Sequence, residues 1–124
     1  LKSRVLKYSG ANNPLWIVRK GTSEIEEVKP NKQPVGNFHK NQDFDSHEVI
    51  IGEGDSFYLF SDGYADQFGG TEGKKFKTKS FKKLILSIQD KSMSEQREEM
   101  DMFFENWKGE LEQLDDVCVI GVTF

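Results

Sequence analysis

Two apolar runs, each flanked by acidic residues at one end, constrain the fold of this 124-residue chain more than any other feature. The first is Phe57 to Phe60, within a predicted strand from Ser56 to Ser61 that leads into Asp62-Gly63, and the second covers Val117 to Val122 and follows Asp115-Asp116. Consecutive apolar residues are typical of strands that are buried on both faces. If the two strands are antiparallel neighbours, their acidic ends meet at one edge of a sheet.

The acidic residues at this edge are candidate metal ligands. Neighbouring strands lie ~4.8 Å apart, so the carboxylates could share one ion. Clustered carboxylates repel one another unless one is protonated or a cation is bound, and Mg²⁺ or Mn²⁺ prefers such oxygen ligands. Gly63 would let the backbone turn sharply or approach closely. The alternative is that Asp62-Gly63 is an ordinary turn and Asp115-Asp116 a solvated strand start, because short Asp motifs are frequent by chance.

Apolar and alternating runs predict further strands, bounded by Gly, Pro and Asn turns. The first three are expected to form an antiparallel meander, because their connections are too short for crossover helices. A long irregular connection from Lys29 to Ser46 follows, which Phe38 and Phe44 are expected to pin to the core. The predicted strands are Arg4 to Tyr8, Leu15 to Val18, Ile25 to Val28 and Glu48 to Ile51.

Two amphipathic helices are predicted between the apolar runs. The first has Ser80 as its N-cap, and the second begins near Ser92, with Glu95 completing a capping box. Gly109 is expected to break or end the second helix. Apolar residues at helical spacing are interpreted as core: Phe81, Leu84, Ile85 and Ile88 in the first helix, and Met100, Phe103, Phe104, Trp107 and Leu111 in the second.

Other catalytic or binding motifs are not supported. No group of thiols and histidines suggests zinc, and Ser61 has no evident base partner. Gly52-x-Gly54 lacks the third glycine of a dinucleotide-binding loop. Gly69 to Gly73 is interpreted as a flexible loop rather than a phosphate-binding one. His39 and His47 are expected to be surface residues.

Composition excludes several classes of function. The net charge of -4 predicts no nucleic-acid partner, and no apolar run is long enough to cross a membrane. The single cysteine, Cys118, excludes an internal disulfide, fits a reducing compartment and is predicted to be a small buried hydrophobe. The lysines of residues 74–83 and the acidic residues of 95–116 are interpreted as solvated faces.

Four blocks of sequence resemble a known family. In order, they are "YSGANNPLWIVR", "KPNKQPVGNF", "GDSFYLFSDGYADQFGG" and "LDDVCVIGV". Together they resemble the second half of a bacterial PPM-type phosphatase of the sporulation stage II protein E class (SpoIIE-like), which is related to protein phosphatase 2C. The resemblance implies an α+β fold, a four-layer αββα sandwich of mostly antiparallel sheets flanked by helices. Residues 1–124 would be a single domain, the C-terminal portion of such a phosphatase domain, and incomplete.

The resemblance also implies an activity and a site. The reaction would be hydrolysis of phosphoserine or phosphothreonine on a regulatory protein in bacterial signalling, with two Mn²⁺ or Mg²⁺ ions activating water. Carried over to this chain, the catalytic metal ligands are Asp62 and Asp115. Gly63 and Asp116 belong to the same metal-binding motifs in supporting roles. Two cations can lower the pKa of bound water and neutralise phosphoryl oxygens without a protein nucleophile.

The chain departs from the family pattern at its beginning. The early Asp-Gly motif is absent, so we expect a fragment of a longer protein whose bridging aspartate lies upstream of Leu1. Ser9 to Asn12 also stands where many members have Ala-Gly-His. Residues 1–124 alone are therefore expected to bind metal weakly and to be inactive. The alternative is a catalytically incomplete or degenerate module that acts in protein–protein regulation.

The expected partners follow from the resemblance alone. They are a phosphorylated protein substrate, for which an anti-anti-sigma factor is one candidate, and an upstream sensor or signalling segment of the same chain. No nucleic acid and no membrane contact by this segment are expected. The expected location is the cytoplasm, either as a free protein or as the cytoplasmic domain of a membrane-attached sensor.

Overall fold

The computed structural model describes residues 4–9, 13–29 and 47–124. The chain divides into two compact units, one formed by the residues up to Leu59 together with Gly121–Phe124, and one formed by Phe60–Ile120. The expectations for Phe38, His39 and Phe44 fall outside the described residues. The expectation of one domain over residues 1–124 stays a prediction.

The described residues form eight strands and three helices. The predicted strands are present to within a residue or two, and α1, β6 and β7 were not predicted. The strands are β1 (Arg4–Tyr8), β2 (Leu15–Val18), β3 (Ile25–Val28), β4 (His47–Ile51), β5 (Ser56–Phe60), β6 (Phe68–Gly69), β7 (Lys74–Lys75) and β8 (Val119–Thr123). The helices are α1 (Gly63–Asp66), α2 (Thr78–Ser87) and α3 (Met93–Lys108).

The strands form a four-stranded sheet in the order β3-β2-β5-β8 and two two-stranded sheets, β1-β4 and β6-β7. The predicted hairpin of β2 and β3 is antiparallel and confirmed. The predicted meander is wrong for β1, which pairs with β4 instead. This pairing sets Leu6 opposite Val49, and both side chains pack against the same apolar cluster. Burial of apolar side chains therefore decides the partner of β1, rather than closeness in sequence.

The core of the first unit joins its two sheets. Tyr8, Leu15, Ile17 and Ile51 form a buried cluster, and Phe57 and Leu59 are among the half-buried residues packed against it. β2 is buried at all four positions and is a central strand of its sheet, between β3 and β5. The first unit thereby packs β5 up to Leu59 against its own core.

The core of the second unit is an aromatic cluster centred on Tyr64. Its ring stacks on Phe81 with centroids 4.6 Å apart and an interplanar angle of 16°. Its hydroxyl donates a hydrogen bond of 2.7 Å to the carbonyl of Met100, and burial raises the pKa of this hydroxyl. Phe104 packs against the same ring at 5.1 Å. Tyr64 thus ties α1 to both α2 and α3.

The second of the two predicted helix starts is confirmed. Ser92 is the N-cap of α3 in a complete capping box with Glu95, and Gly109 is its C-cap. The prediction that Ser80 is the N-cap of the preceding helix is wrong, because α2 begins at Thr78. Its N-cap is Lys77, at φ 77°, whose N–H donates to the carbonyl of Ala65 over 2.7 Å. A contact with a distant part of the unit therefore sets this helix start.

The predicted helical core positions are mostly confirmed. Phe81, Ile85, Ile88, Met100 and Phe104 are buried, and Leu84 and Trp107 are half-buried. The prediction of a core position is wrong for Phe103 and Leu111, which are 37% and 45% exposed. Leu111 also lies beyond the end of α3. The solvated interpretation of the charged stretches is confirmed for Lys74, Lys75, Lys77, Lys79 and Lys83, and for most acidic side chains of α3.

The prediction that both apolar runs are buried on both faces needs correction. In β5, Ser56, Tyr58 and Phe60 are buried and the alternate residues are half-buried. β8 is not buried, since Ile120 is 52% exposed. Cys118 is also exposed, so its prediction as a buried hydrophobe is wrong. β8 stands last in the strand order, and an apolar sequence does not distinguish such a strand from a central one.

None of the helices in the described part of the chain is long and apolar enough to span a membrane.

Candidate metal centre

Ser61 joins the end of β5 to the segment that leads into β8. Its backbone N–H donates to the carbonyl of Cys118 over 2.9 Å, and its hydroxyl accepts from the N–H of Cys118 over 3.0 Å. The same hydroxyl donates to the carbonyl of Asp116 over 3.0 Å. Since Ser61 precedes Asp62 and Asp116 follows Asp115, these hydrogen bonds bring together the two chain segments that carry the predicted ligands.

The expected arrangement of the two strands is confirmed. β5 and β8 are neighbours in the sheet. At the beginning of β5, the N–H of Phe124 donates to the carbonyl of Asp55 over 3.0 Å, whereas Ser61 at the other end pairs with Cys118. The strands therefore run in opposite directions, and the carboxyl end of β5 lies beside the amino end of β8.

Gly63 is required by a close approach of two backbones. A Cβ at this position would lie 2.2 Å from the carbonyl oxygen of Asp116 and 3.1 Å from Cγ2 of Val117. No side chain fits into that space. Gly63 was predicted to allow either a sharp turn or a close approach of the backbone. The structure shows the close approach, which brings the start of α1 against the Asp115–Asp116 segment.

The Asp62 carboxylate projects from the N-cap position of α1 into solvent. Asp62 is exposed, has helical backbone angles (φ -70°, ψ -16°), and makes no side-chain capping hydrogen bond. Its backbone carbonyl accepts the N–H of Asp66 over 2.9 Å, which fixes the backbone. The turn thus fixes the backbone of Asp62, and its side-chain oxygens are exposed to solvent.

Asp115 and Asp116 are both exposed, and they differ in their contacts. Oδ1 of Asp115 accepts the N–H of Asp116 over 2.8 Å. Its backbone carbonyl accepts Nε2 of Gln113 over 3.0 Å. Asp116 instead contributes its carbonyl to Ser61 and lies against Gly63. These contacts agree with a supporting role for Asp116.

The donor chemistry of Asp62 and Asp115 suits a hard divalent cation. Across residues 4–9, 13–29 and 47–124, neither carboxylate is paired with a lysine or arginine. Oxygen ligands of this kind are the ones that Mg²⁺ and Mn²⁺ select. No group of three or more His, Cys, Asp or Glu residues comes together as a metal site in these same ranges. The fit of Asp62 and Asp115 to such a cation thus rests on their donor chemistry alone.

Gln67 is a second polar residue of this region that the sequence interpretation missed. It is 1% exposed and lies directly after α1. Its Nε2 donates to the carbonyl of Glu112 over 2.9 Å, and its Oε1 accepts the N–H of Leu114 over 3.4 Å. Its partners lie 45 and 47 residues away, so no local pattern could have indicated its role.

Gly69 to Gly73, predicted to be a flexible loop, includes the last residue of β6 and the turn that connects it to β7. β6 and β7 pair through Phe68 with Lys75 and Gly69 with Lys74. The N–H of Gly70 donates to the carbonyl of Trp107 over 2.9 Å, near the end of α3. A Cβ on Gly69 would lie 2.0 Å from that carbonyl oxygen, so the glycine is required by this contact.

Two further residues that were considered for a chemical role, His47 and Ser61, make contacts within the fold. His47 is half-buried at the start of β4, with its ring centroid 6.2 Å from that of Tyr8. The hydroxyl of Ser61 is used by the two main-chain hydrogen bonds to Asp116 and Cys118. Ser61 is therefore a structural residue of the site.

The antiparallel sheets and the helices place the chain in a known class of fold. It is similar to the SiaA-PP2C domain of Pseudomonas aeruginosa, with a TM-score of 0.86 and 28% sequence identity. The match covers 98% of this chain and 47% of that solved chain, so this chain spans about half of its length. The fold is thus α+β and protein phosphatase 2C-like, in partial form.

The chain belongs to the stage II sporulation protein E (SpoIIE) family, whose family model matches residues 1–124. No curated protein matches the chain. The predicted family and fold class are therefore confirmed, and the family supports a phosphatase role. The individual site residues stay predictions.

Proposed function

We propose that the protein containing this chain is a metal-dependent serine/threonine phosphatase, in which Asp62 and Asp115 bind Mn²⁺ or Mg²⁺. The family and the fold support a phosphatase. The observation that carries the proposal for the site is the hydrogen bonding of Ser61 to Asp116 and Cys118, which brings the Asp62 and Asp115 segments together.

In this proposal, two residues bind the cation and two others support them. Asp62 and Asp115 would hold the cation through carboxylate oxygens, and Gly63 and Asp116 would keep the two backbones in close contact. When bound, Mn²⁺ or Mg²⁺ supplies an activated water and neutralises phosphoryl oxygens. The exposure of both carboxylates leaves room for a phosphate group carried on another protein.

The substrate and the regulation belong to the proposal as well. We infer a phosphorylated serine or threonine of a regulatory protein, with an anti-anti-sigma factor as one candidate, in bacterial signalling. A sensor or signalling segment of the same chain would control the activity, and the phosphatase would act in the cytoplasm. The support for these inferences is the similarity of the sequence blocks to the family.

The test is phosphate release by the complete protein from a phosphoserine or phosphothreonine protein in the presence of Mn²⁺. We expect Asp62→Asn and Asp115→Asn each to reduce turnover at least ~100-fold, because a lost ligand weakens the cation's hold. Asp90→Asn is the matched control, since Asp90 is also exposed but lies in the turn after α2. Isothermal titration calorimetry with Mn²⁺ measures binding directly.

Two outcomes of these measurements would contradict the proposal. Wild-type turnover in Asp62→Asn would contradict the assignment of the site. A complete protein that binds no Mn²⁺ and releases no phosphate, yet binds a partner protein, would establish the alternative of a degenerate phosphatase fold with a regulatory binding role.

A further inference from the structure

We propose that Gln67 is a positioning residue that holds the Asp115 segment against the Asp62 turn and thereby sets the affinity of the site for a divalent cation. The inference rests on the proposed function and adds to it a residue outside the metal-binding motifs. It is carried by the hydrogen bonds of the Gln67 side chain to Glu112 and Leu114.

The Asp115 segment needs anchors from elsewhere in the unit. Residues 111–116 lie in neither a helix nor a strand, and all six are exposed. Their own packing therefore fixes them weakly. Gln67 contacts the segment before Asp115, at Glu112 and Leu114, and Ser61 contacts it after Asp115, at Asp116. The proposed ligand lies between these two anchors.

Gln67 is itself fixed by the core of the second unit. Its backbone carbonyl accepts the indole N–H of Trp107 over 3.0 Å and the N–H of Phe76 over 2.9 Å. Its side chain is 1% exposed, and Nε2 makes a further hydrogen bond of 3.0 Å to the carbonyl of Phe68. The anchor is therefore rigid, and any displacement of its partners breaks partly buried hydrogen bonds.

The same stretch of chain connects Gln67 to Asp62. Asp62 is the N-cap of α1, and Gln67 is its C-cap. Between them, Gly63, Tyr64 and Ala65 are buried. One short rigid turn thus carries a proposed ligand at one end and the anchor of the other ligand's segment at the other end.

Only an amide of this length supplies both contacts together. Its NH₂ group donates to the carbonyl of Glu112, and its amide oxygen accepts the N–H of Leu114. Met has nearly the same shape and neither function, so Gln67→Met removes the hydrogen bonds with little change in volume. Gln67→Glu keeps an acceptor for Leu114 and removes the donor to Glu112. Residues that orient metal ligands typically change metal affinity ~10–100-fold when replaced.

The experiment compares the complete protein with its Gln67→Met, Gln67→Glu and Gln96→Met variants. Gln96 is a matched control, because it is also buried in this unit, 3% exposed, and donates to a loop carbonyl, that of Lys91. Mn²⁺ affinity is measured by calorimetry, and hydrogen–deuterium exchange is measured in the peptide that covers residues 110–117. Far-ultraviolet circular dichroism checks the fold of each variant.

We expect Gln67→Met to weaken Mn²⁺ binding ~10-fold and to speed exchange at residues 110–117. Gln67→Glu should have at least as large an effect, because its buried carboxylate would face the carbonyls of Glu112 and Phe68. Turnover at saturating Mn²⁺ should return toward the wild-type value. Gln96→Met should keep the wild-type affinity and exchange, although it lowers the melting temperature. If Gln67→Met does not fold, Gln67→Glu provides the same comparison.

Three results would overturn the inference. They are wild-type Mn²⁺ affinity in the Gln67 variants, an equal loss of affinity in Gln96→Met, or unchanged exchange at residues 110–117. Failure of the proposed function is recognised separately, because the wild-type protein would then bind no Mn²⁺, whereas the exchange measurement still decides whether Gln67 anchors the segment.

Discussion

The hydroxyl of Ser61 donates to the carbonyl of Asp116 and accepts the N–H of Cys118, each over 3.0 Å. One side chain thus satisfies an acceptor and a donor of the neighbouring segment. Ser61, which has no evident base partner to make it a nucleophile, has a supporting role in the structure. Because both partners belong to the backbone, the contact fixes where the segment lies whatever its side chains are.

Ser61→Ala tests this contact. We expect it to lower the free energy of unfolding by about 1–3 kcal/mol, because it removes both hydrogen bonds. It should also weaken Mn²⁺ binding by the complete protein. Ser87→Ala is the control, since Ser87 is exposed at the end of α2 and donates only locally, to Leu84. Thermal unfolding and calorimetry with Mn²⁺ provide the two measurements, and equal effects of the two variants would contradict the role of Ser61.

Gly63→Ala tests the close approach of the two backbones. The added methyl carbon would lie 2.2 Å from the carbonyl oxygen of Asp116, so the segments must separate. We expect a loss of about 1–3 kcal/mol in stability, together with weaker Mn²⁺ binding. Gly52→Ala is the control, because a Cβ at Gly52 would lie 3.5 Å from Oδ2 of Asp55, an ordinary van der Waals contact. It should therefore lower the stability less than Gly63→Ala does. A melting temperature of Gly63→Ala equal to that of wild type would disprove the constraint.

A buried carboxylate in the first unit predicts a dependence of stability on pH. Asp55 is 8% exposed and accepts the N–H groups of Lys20 and Gly52 over 2.8 and 2.9 Å, and the guanidinium of Arg19 over 3.0 Å. Burial alone would raise the pKa of Asp55. The three hydrogen bonds and the charge of Arg19 outweigh burial and lower the pKa below its ordinary 3.8.

The sign of the pH effect follows from the lowered pKa. The ionised form is favoured in the folded state, so Asp55 contributes stability above the unfolded pKa of 3.8, and this contribution is lost as the pH falls through the lower folded pKa. Asp55→Asn should cost about 1–3 kcal/mol at pH 7 and flatten the decline in melting temperature as the pH falls below about 5. The exposed Glu48, changed to Gln, is the control. An unchanged decline in Asp55→Asn would refute the prediction.

Local patterns were sufficient for most elements of the fold. The alternation and apolarity of β1 to β5 predicted these strands, because a strand's own residues record which side chains are buried. The capping box of Ser92 and Glu95 is likewise local, and it marked the start of α3. The carboxyl end of β5 and the amino end of β8 were predicted to meet if the two strands are antiparallel neighbours, because Asp62 follows the first apolar run and Asp115-Asp116 precede the second.

Features that depend on distant contacts were not predictable in this way. The pairing of β1 with β4 and the start of α2 at Thr78 are decided by residues far away in sequence. Gln67 is similar, because its hydrogen-bond partners lie after α3. Burial of β8 was overestimated for the same reason, since the sequence of a strand does not show what covers it.

The last prediction concerns residues 1–124 on their own. We expect the isolated chain to bind Mn²⁺ weakly and to release no phosphate above the buffer rate. Asp62 and Asp115 are two carboxylates, whereas Mg²⁺ or Mn²⁺ in octahedral geometry takes about six ligands and two ions need a shared set. The measurement is a Mn²⁺ titration and a phosphopeptide assay of the isolated chain beside the complete protein, after circular dichroism shows that the chain is folded. Robust Mn²⁺-dependent hydrolysis by residues 1–124 alone would show that these residues hold a sufficient set of ligands.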